Sequence, residues 1–584
     1  MDRKTILVLV VTFVILMAWF PLVNKLYPPK QLPPSTNQLS RAFSGTNQVI
    51  VTNQSPSPTY LQSAPALPPT FQIEAKETTE TLEVGGIKYL FTSHGGGLKS
   101  VELRDYPEII LPKRHQTNGI RGVVLNRDAP LPVMAVVGHS ALVEDGLFKL
   151  SRRGQTIIAQ KVLTNGVVLI KEFSPSTNLL LQVKIRMENR SGHPVMLPSQ
   201  QYIAGTATLI NATDDPLQMG VFINSSGNTD HIDDSWFANR FMGCFPGTPR
   251  ERYEAAAPVS WAAVHNRFFT IVTVPKLAAP QFIATHADIP TSIVAGAKVP
   301  GLQAALIYPS VTLEAAGTNS VLEREFTLYT GPKEYNTLSS LASDMKNDVD
   351  HVMKFNGFFG WFSKGLLLAM NWLHDSLKLA YGLAIIAITL IIKIAFWPLT
   401  QASTRSMKRM STMQPQMKVI QDKYKDDPQK MNKKMMEFMK ENKVNPMGGC
   451  LPMLIQIPVF FGFYYMIQSA IELRGASFLW AWDLSQADTV AFVFGFPINP
   501  MPLIMGVTMF WQAQLTPPSP GMDPTQQKMM KYMPLIFLFI LYKMSAGLTL
   551  YWTIQNLLTI AQTKLTKTEP PVTATPQPVL VKRK

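Results

Sequence analysis

One lysine, Lys393, stands inside the apolar run AIIAITLIIKIAFWPLT (384–400). A lysine at the middle of a membrane span costs about 2.5–3.5 kcal/mol on translocon-type scales, so the charge needs an exit or a use. The exit is snorkelling: Lys393 lies five residues before Pro398, roughly 7–8 Å along a helix, and its stem covers part of that distance to the headgroups. The use is a hydrated cavity inside a helical bundle, where a fixed cation attracts acidic or polar chain. Thr389, one turn earlier on the same face, adds a second polar group and favours the cavity. Polar side chains interrupt other apolar segments too. Gln456 breaks CLPMLIQIPVFFGF, and GLTLYWTIQNLLTIAQ carries Thr549, Tyr551, Trp552, Thr553, Gln555 and Asn556. A hydrogen bond between helices, typically below about 2 kcal/mol, accounts for any one of these. Gathered in a few segments beside Lys393, they predict a polar groove.

The chemistry on offer is binding, not bond making. The sequence has no G-x-S-x-G, P-loop, H-E-x-x-H or Gly-rich dinucleotide fingerprint. The GGG at 95–97 reads as a turn, and His94, His115 and His139 show no ligand spacing. Cys244 and Cys450 are far apart and predict no disulfide framework. No cofactor, metal or enzymatic activity is expected.

A second group of residues points to apolar partners. Residues 401–446 hold eleven Lys and Arg against five Asp and Glu, a net of +6. Met407, Met410 and Met417 make one helical stripe; Met431, Met435 and Met439 make another, with a turn at DDP (426–428). Two amphipathic helices packing on each other give this pattern. So does a flexible surface that meets varied apolar segments, the use to which proteins put methionine.

These groups need elements to hold them. The chain has 584 residues, 46% hydrophobic and 16% charged, with 29 Met and a net charge of +15. That composition fits a protein partly in the membrane and partly outside it, with anionic partners such as lipid headgroups; no motif that reads nucleic acid is expected. Residues 1–27 predict an uncleaved transmembrane anchor with its N-terminus in the cytoplasm. Residues 28–70, rich in Pro, Ser and Asn, predict a tether. Alternating segments such as GVVLIKEFS and LLLQVKIRMEN predict a soluble all-β periplasmic sandwich over 71–340.

An interfacial amphipathic region follows at 341–379, with Phe358, Trp361, Phe362, Leu366 and Leu373 on its apolar face. Tyr381 to Trp397 reads as a span ended by Pro398, within a second membrane segment at 380–400. The basic helical hairpin occupies 401–446. Four further spans fall in 447–565, at about 448–470, 490–513, 533–545 and 547–563, the last two turning at SAG (545–547). A basic tail covers 566–584. Six spans with both termini in the cytoplasm agree with the distribution of positive charge, since Lys528 and Lys531 join the hairpin and the VKRK tail on one side.

The stretches TLIIKIAFWPLTQASTRSMKRMSTMQPQMK (389–418), VNPMGGCLPMLIQIPVFFGFYYMIQSAIELRGASFLWAWDLS (444–485) and PLIMGVTMFWQAQLTPPSPGMDPTQQKMMKYMPLIFLFI (502–540) closely resemble the YidC family of membrane-protein insertases. FTSHGGGLKSVELRDYPE (91–108) and EFTLYTGPKEYNTL (325–338) resemble that family's periplasmic sandwich. The resemblance implies a five-helix core around a hydrophilic groove that opens to the cytoplasm and the lipid. Lys393 takes the place where many relatives carry arginine, and Thr389, Gln456, Tyr551 and Trp552 resemble groove-lining or substrate-contacting positions. Trp552 stands where some relatives have a tyrosine. It also implies nascent membrane proteins as substrates, with the Sec translocon and a signal recognition receptor as partners. The short tail implies at most weak contact with the ribosome.

Two rival readings use the same residues. One is a small-solute transporter or channel with Lys393 as its anion site, although no internal repeat is visible. The other is an anchored carbohydrate-binding or carbohydrate-modifying protein, because sandwich domains often host sugars.

Overall fold

The computed structural model describes residues 75–111, 121–176, 179–239, 247–290, 298–355, 357–424, 427–442, 451–515 and 524–566. The expected anchor at 1–27, the tether at 28–70, Cys244, Cys450 and the tail beyond 566 lie outside the described residues.

Alternation of apolar and polar residues builds the first half of the molecule. In Leu180–Asn189 the odd-numbered side chains Leu181, Val183, Ile185 and Met187 are all buried, as a pleat of period two requires. The larger antiparallel sheet runs, in spatial order, Asn228–Asp233, Gly220–Ser225, Val259–His265, Phe269–Pro275, Val321–Pro332, Leu180–Asn189, Val167–Pro175, Thr156–Val162 and Lys149–Arg153. A five-stranded sheet with Gln281–Pro290, Lys298–Tyr308 and Gln200–Ala207 at its centre faces it, and both contribute to one apolar core. A four-stranded sheet, Thr79–Val84, Ile87–Thr92, Gly97–Pro107 and Gly122–Leu125, closes one side. Its first hairpin turns on Gly85 and Gly86, both at positive φ (54° and 79°), the backbone a two-residue turn of this hand demands.

The second half is helical. Helix α1 (Tyr335–Met345) and a 3-10 segment (Val349–Met353) lead out of the sandwich. There follow α2 (Gly360–Leu377), α3 (Tyr381–Ala395), α4 (Trp397–Thr412), α5 (Gln414–Lys423), α6 (Pro428–Glu441), α7 (Leu451–Ser469), α8 (Pro500–Leu515), α9 (Pro524–Leu541) and α10 (Ala546–Leu565). Helix α10 packs on α3, α7 and α8, while α7 lies along α2. A Cβ at Gly462 of α7 would meet the Phe362 ring of α2 at 2.3 Å, so only glycine lets these two helices approach so closely.

Sandwich and helices share a core. Phe222, Trp261, Ala263 and Val272 on the outer face of the large sheet join Leu338 and Leu341 of α1. The same cluster continues through Leu367 and Met370 of α2, Ile385 of α3 and Phe463 of α7. In α2, Leu366 and Leu373 are buried whereas Phe358 and Trp361 just before and within it are exposed. The face expected to be uniformly greasy is therefore split between protein and surroundings.

Three boundaries differ from the sequence expectation. The helix placed at Tyr381–Trp397 ends at Ala395, and the chain bends by 66° into α4. Pro398 opens that new helix instead of ending the old one, because proline is tolerated in a first helical turn, where no N–H partner is lost. The segment expected to span from 490 begins with an exposed β-hairpin, Ala491–Val493 with Phe496–Ile498, and α8 starts only at Pro500. Lys528, expected in a loop, sits in α9.

Among the described residues no single helix is long and apolar enough to cross a membrane; the bent pair Tyr381–Ala395 with Trp397–Met410 passes that test together.

Candidate functional site

Helix α10 is the spine of the site. Its polar residues recur three or four apart, so they line one side of a helix. From Tyr551 to Thr566 this row extends about 22 Å. Each neighbouring helix sends a polar side chain to it. From α3, Lys393 Nζ donates to Thr559 Oγ1 at 2.9 Å, and Thr559 in turn donates to the Gln555 carbonyl at 2.8 Å. From α7, Gln456 Nε2 donates to the Tyr551 hydroxyl at 2.8 Å, and Gln555 Nε2 returns a bond to Gln456 Oε1 at 2.7 Å. From α8, Thr508 accepts from Asn556 Nδ2 at 3.1 Å. From α4, Thr400 accepts from Gln562 Nε2 at 2.8 Å, and Lys408 Nζ donates to the Thr566 carbonyl at 2.6 Å.

Lys393 is only 5% exposed, and no carboxylate among the described residues pairs with it. Its contact is a neutral hydroxyl, which leaves two ammonium protons for other acceptors. The geometry therefore offers a cation with unspent hydrogen-bonding capacity beside a row of amides and hydroxyls.

An apolar flank runs beside this row. Trp552 packs its ring against Phe460 of α7 (centroids 4.7 Å) and Phe537 of α9 (5.9 Å). Tyr551 stacks on Phe463 at 4.1 Å. Trp552 thus belongs to the apolar side, and Tyr551 joins the two. Thr389 is buried, but its hydroxyl donates to the Ile385 carbonyl of its own helix at 2.7 Å. It stands one turn from Lys393 with its proton already engaged. Asn556 and Gln456 are held by the bonds above. Sequence reasoning missed Thr559, Gln562, Thr508 and Thr400. The signal for the first two was present, since they continue the three-to-four spacing beyond Gln555 and Asn556.

The methionine stripes meet each other. Met410, Met417, Met435 and Met439 are buried in one small cluster with Met413, whereas Met407 and Met431 are half-buried. Val419 and Met436, at 65% and 56% exposure, form the outward apolar surface of the α5–α6 pair.

Residues 372–571 match the family described as 60Kd inner membrane protein, and 147–369 match the YidC periplasmic domain. A protein of Pelobacter propionicus named membrane protein insertase YidC is 30% identical over 587 residues, covering 96% of this chain and 98% of that one. The chain belongs to the YidC family. A relative of the same name from Maridesulfovibrio salexigens is 28% identical over 96% of this chain and 98% of its own. One from Syntrophobacter fumaroxidans is 39% identical over 311 residues, 52% of this chain and 53% of that one. Among solved structures, an active YidC insertase with its first transmembrane domain resolved shares 18% identity, covers 85% of this chain and 96% of its own, and gives a TM-score of 0.35. The chain is accordingly an inner-membrane protein with a periplasmic domain.

Proposed function

We propose that the chain inserts apolar segments of newly made proteins into the inner membrane from the cytoplasmic side, using the polar row around Lys393 as a partial path for their polar flanks. The observation that carries this reading is Lys393 itself, a cation with no carboxylate partner among the described residues, held by Thr559 against the amide-rich side of α10. A fixed positive charge there lowers the cost of drawing an acidic tail partway into the bilayer. The substrate's apolar segment then moves along the aromatic flank of Phe460, Phe537 and Trp552 into lipid. Hydrophobic transfer drives the step, and the membrane potential adds about 2.3 kcal/mol per acidic charge per 100 mV. No nucleotide is required.

In this reading the anchor and five core spans cross the membrane, both termini are cytoplasmic, and the sandwich lies in the periplasm. Helices α3 and α4 act as one bent span whose end continues into the basic hairpin, and Val419 and Met436 offer that hairpin's contact face to nascent chain. The hairpin's positive charge suits anionic lipid. Cooperation with the Sec translocon, a signal recognition receptor or the ribosome is compatible with this arrangement.

The test is insertion of a short single-span protein with an acidic tail into liposomes, comparing wild type, Lys393→Arg and Lys393→Ala. Wild type and the arginine variant are expected to insert it, with at least a tenfold loss for alanine. Equal insertion by the alanine variant removes the charge from the mechanism, and no stimulation by wild type removes the function.

A further inference from the structure

Where the sandwich meets the outer ends of the helices, residues from both halves line a cavity of about 380 Å³. That volume falls in the range of ligand pockets, about 300–1,000 Å³. The lining is polar and carries charge of both signs. Asp214, Asp215 and Arg267 come from the sandwich, Gln468 from the end of α7, and Lys543 and Ser545 from the turn between α9 and α10.

Two of these groups have unspent hydrogen-bonding capacity. Arg267 spends its Nε on the Gln468 carbonyl at 3.4 Å and lays its guanidinium over the Phe268 ring at 4.6 Å, but its Nη2 is buried with no partner. Ser545 is 5% exposed and its Oγ has no partner either, although it stands at the N-cap of the 20-residue α10. A buried donor left unpaired costs about 1–3 kcal/mol, so a built polar cavity with two such groups is shaped for something that completes them. Burial pulls the Arg267 guanidinium down to about 10, which still leaves it charged at neutral pH.

We infer that this cavity holds a phosphate ester that also bears a primary amine, the chemistry of a phosphoethanolamine headgroup. The phosphate faces Arg267, Ser545 and the exposed Lys543, all of which donate. The ammonium faces Asp214 and Asp215, whose remaining acceptor capacity suits it: Asp214 Oδ2 takes the Ile210 N–H and Asp215 Oδ1 the Leu217 N–H. The two carboxylates disfavour a simple anion, and a trimethylated amine has no proton to give them. The inference rests on the reading above only for its location, since a cavity at the outer ends of the spans lies level with outer-leaflet headgroups.

The test uses the full chain in phosphatidylcholine nanodiscs doped with phosphatidylethanolamine or phosphatidylglycerol, followed by native mass spectrometry of the retained lipid. Phosphatidylethanolamine is expected to be retained over both others, and Arg267→Gln to lower its retention about tenfold. Lys543→Gln, at an exposed position, should lower it less. A second arm adds free phosphoethanolamine to wild type in the phosphatidylethanolamine-doped discs. Competition by the free zwitterion identifies a soluble source for the same chemistry, and retention of the lipid alone identifies the headgroup. Equal retention of all three lipids, or unchanged selectivity in both variants, overturns the site. Selective retention by a protein that inserts nothing leaves the site standing and sinks only the proposed function.

Discussion

Lys393 and Lys171 are both buried lysines, and they resolve differently. Lys171 lies in the strand Val167–Pro175, where Val167, Leu169 and Phe173 point inward, so strict alternation puts the lysine in the core with them. It is fully buried and donates to the carbonyls of Gly95 (2.7 Å) and Met134 (2.9 Å) beneath the Phe148 ring. An uncharged amine has two N–H bonds, and both are used. Burial holds the group well below its usual 10.5. Between the depressed value and 10.5 the unfolded chain carries a proton that the folded sandwich lacks, so stability rises with pH through that window and levels off above it. The sandwich's melting temperature should therefore climb with pH, up to about pH 10, more steeply in wild type than in Lys171→Met. Parallel profiles for the two proteins would show that the amine stays charged inside. The role of Lys171 was readable from alternation alone. That of Lys393 was not, because an apolar helix does not say which neighbour its one cation will meet. The partner, Thr559, is 166 residues away.

Elements were most legible where one period governed a whole segment. The sandwich strands follow period two, and the methionine stripes follow helical spacing into a shared seam. Legibility failed where apolar content mimicked a span. Residues 490–499 read as the start of a membrane helix, yet Phe494 and Gly495 both take positive φ (50° and 79°) and turn the chain back on itself as a hairpin. Pro497 lies in the returning strand, and the helix begins only at Pro500, with Pro500 and Pro502 in its first turn, where no N–H partner is lost. The outcome is an uncharged tip with Phe492, Phe494 and Phe496 at 71%, 105% and 55% exposure. It is contiguous in sequence with α8, whose Leu503, Ile504 and Val507 are also exposed. Under the proposed topology this tip dips into the outer leaflet, where aromatic side chains partition well. A fluorophore at Phe494→Cys, with Cys244 and Cys450 replaced by serine, should be quenched by brominated acyl chains in nanodiscs. The same label at Met196, 70% exposed on the sandwich, should not. Quenching at Phe494 no stronger than at Met196 would overturn this placement of the hairpin.

The sequence suggested two modules joined by an amphipathic connector, each burying its own apolar surface. The structure joins them through one cluster instead. Trp261 on the back of the large sheet is fully buried and packs in the same group as Leu338, Val352, Met370 and Phe463. Polar bonds reinforce the join: Arg474, just beyond α7, donates to the Pro107 and Glu108 carbonyls of the sandwich at 2.6 and 3.1 Å, and Ser469 Oγ donates to the Met353 carbonyl at 3.1 Å. Periodicity within a segment cannot reveal such a join, because a strand face that packs on a helix and one that packs on a second sheet look alike in sequence. The consequence is thermodynamic. Two independent modules would melt in two transitions, whereas a shared core makes loss on one side felt on the other. Trp261→Ala removes a large side chain at the centre of that cluster, at a cost of about 3–5 kcal/mol. In calorimetry of the full chain in nanodiscs the variant should lower the unfolding temperature of helices and sandwich together. Ile185→Ala, in the core between the two sheets, is expected to act mainly on the sandwich. If Trp261→Ala shifts the sandwich transition and leaves that of the helices in place, the cluster does not couple the halves, and the periplasmic domain is an independent passenger on the insertase core.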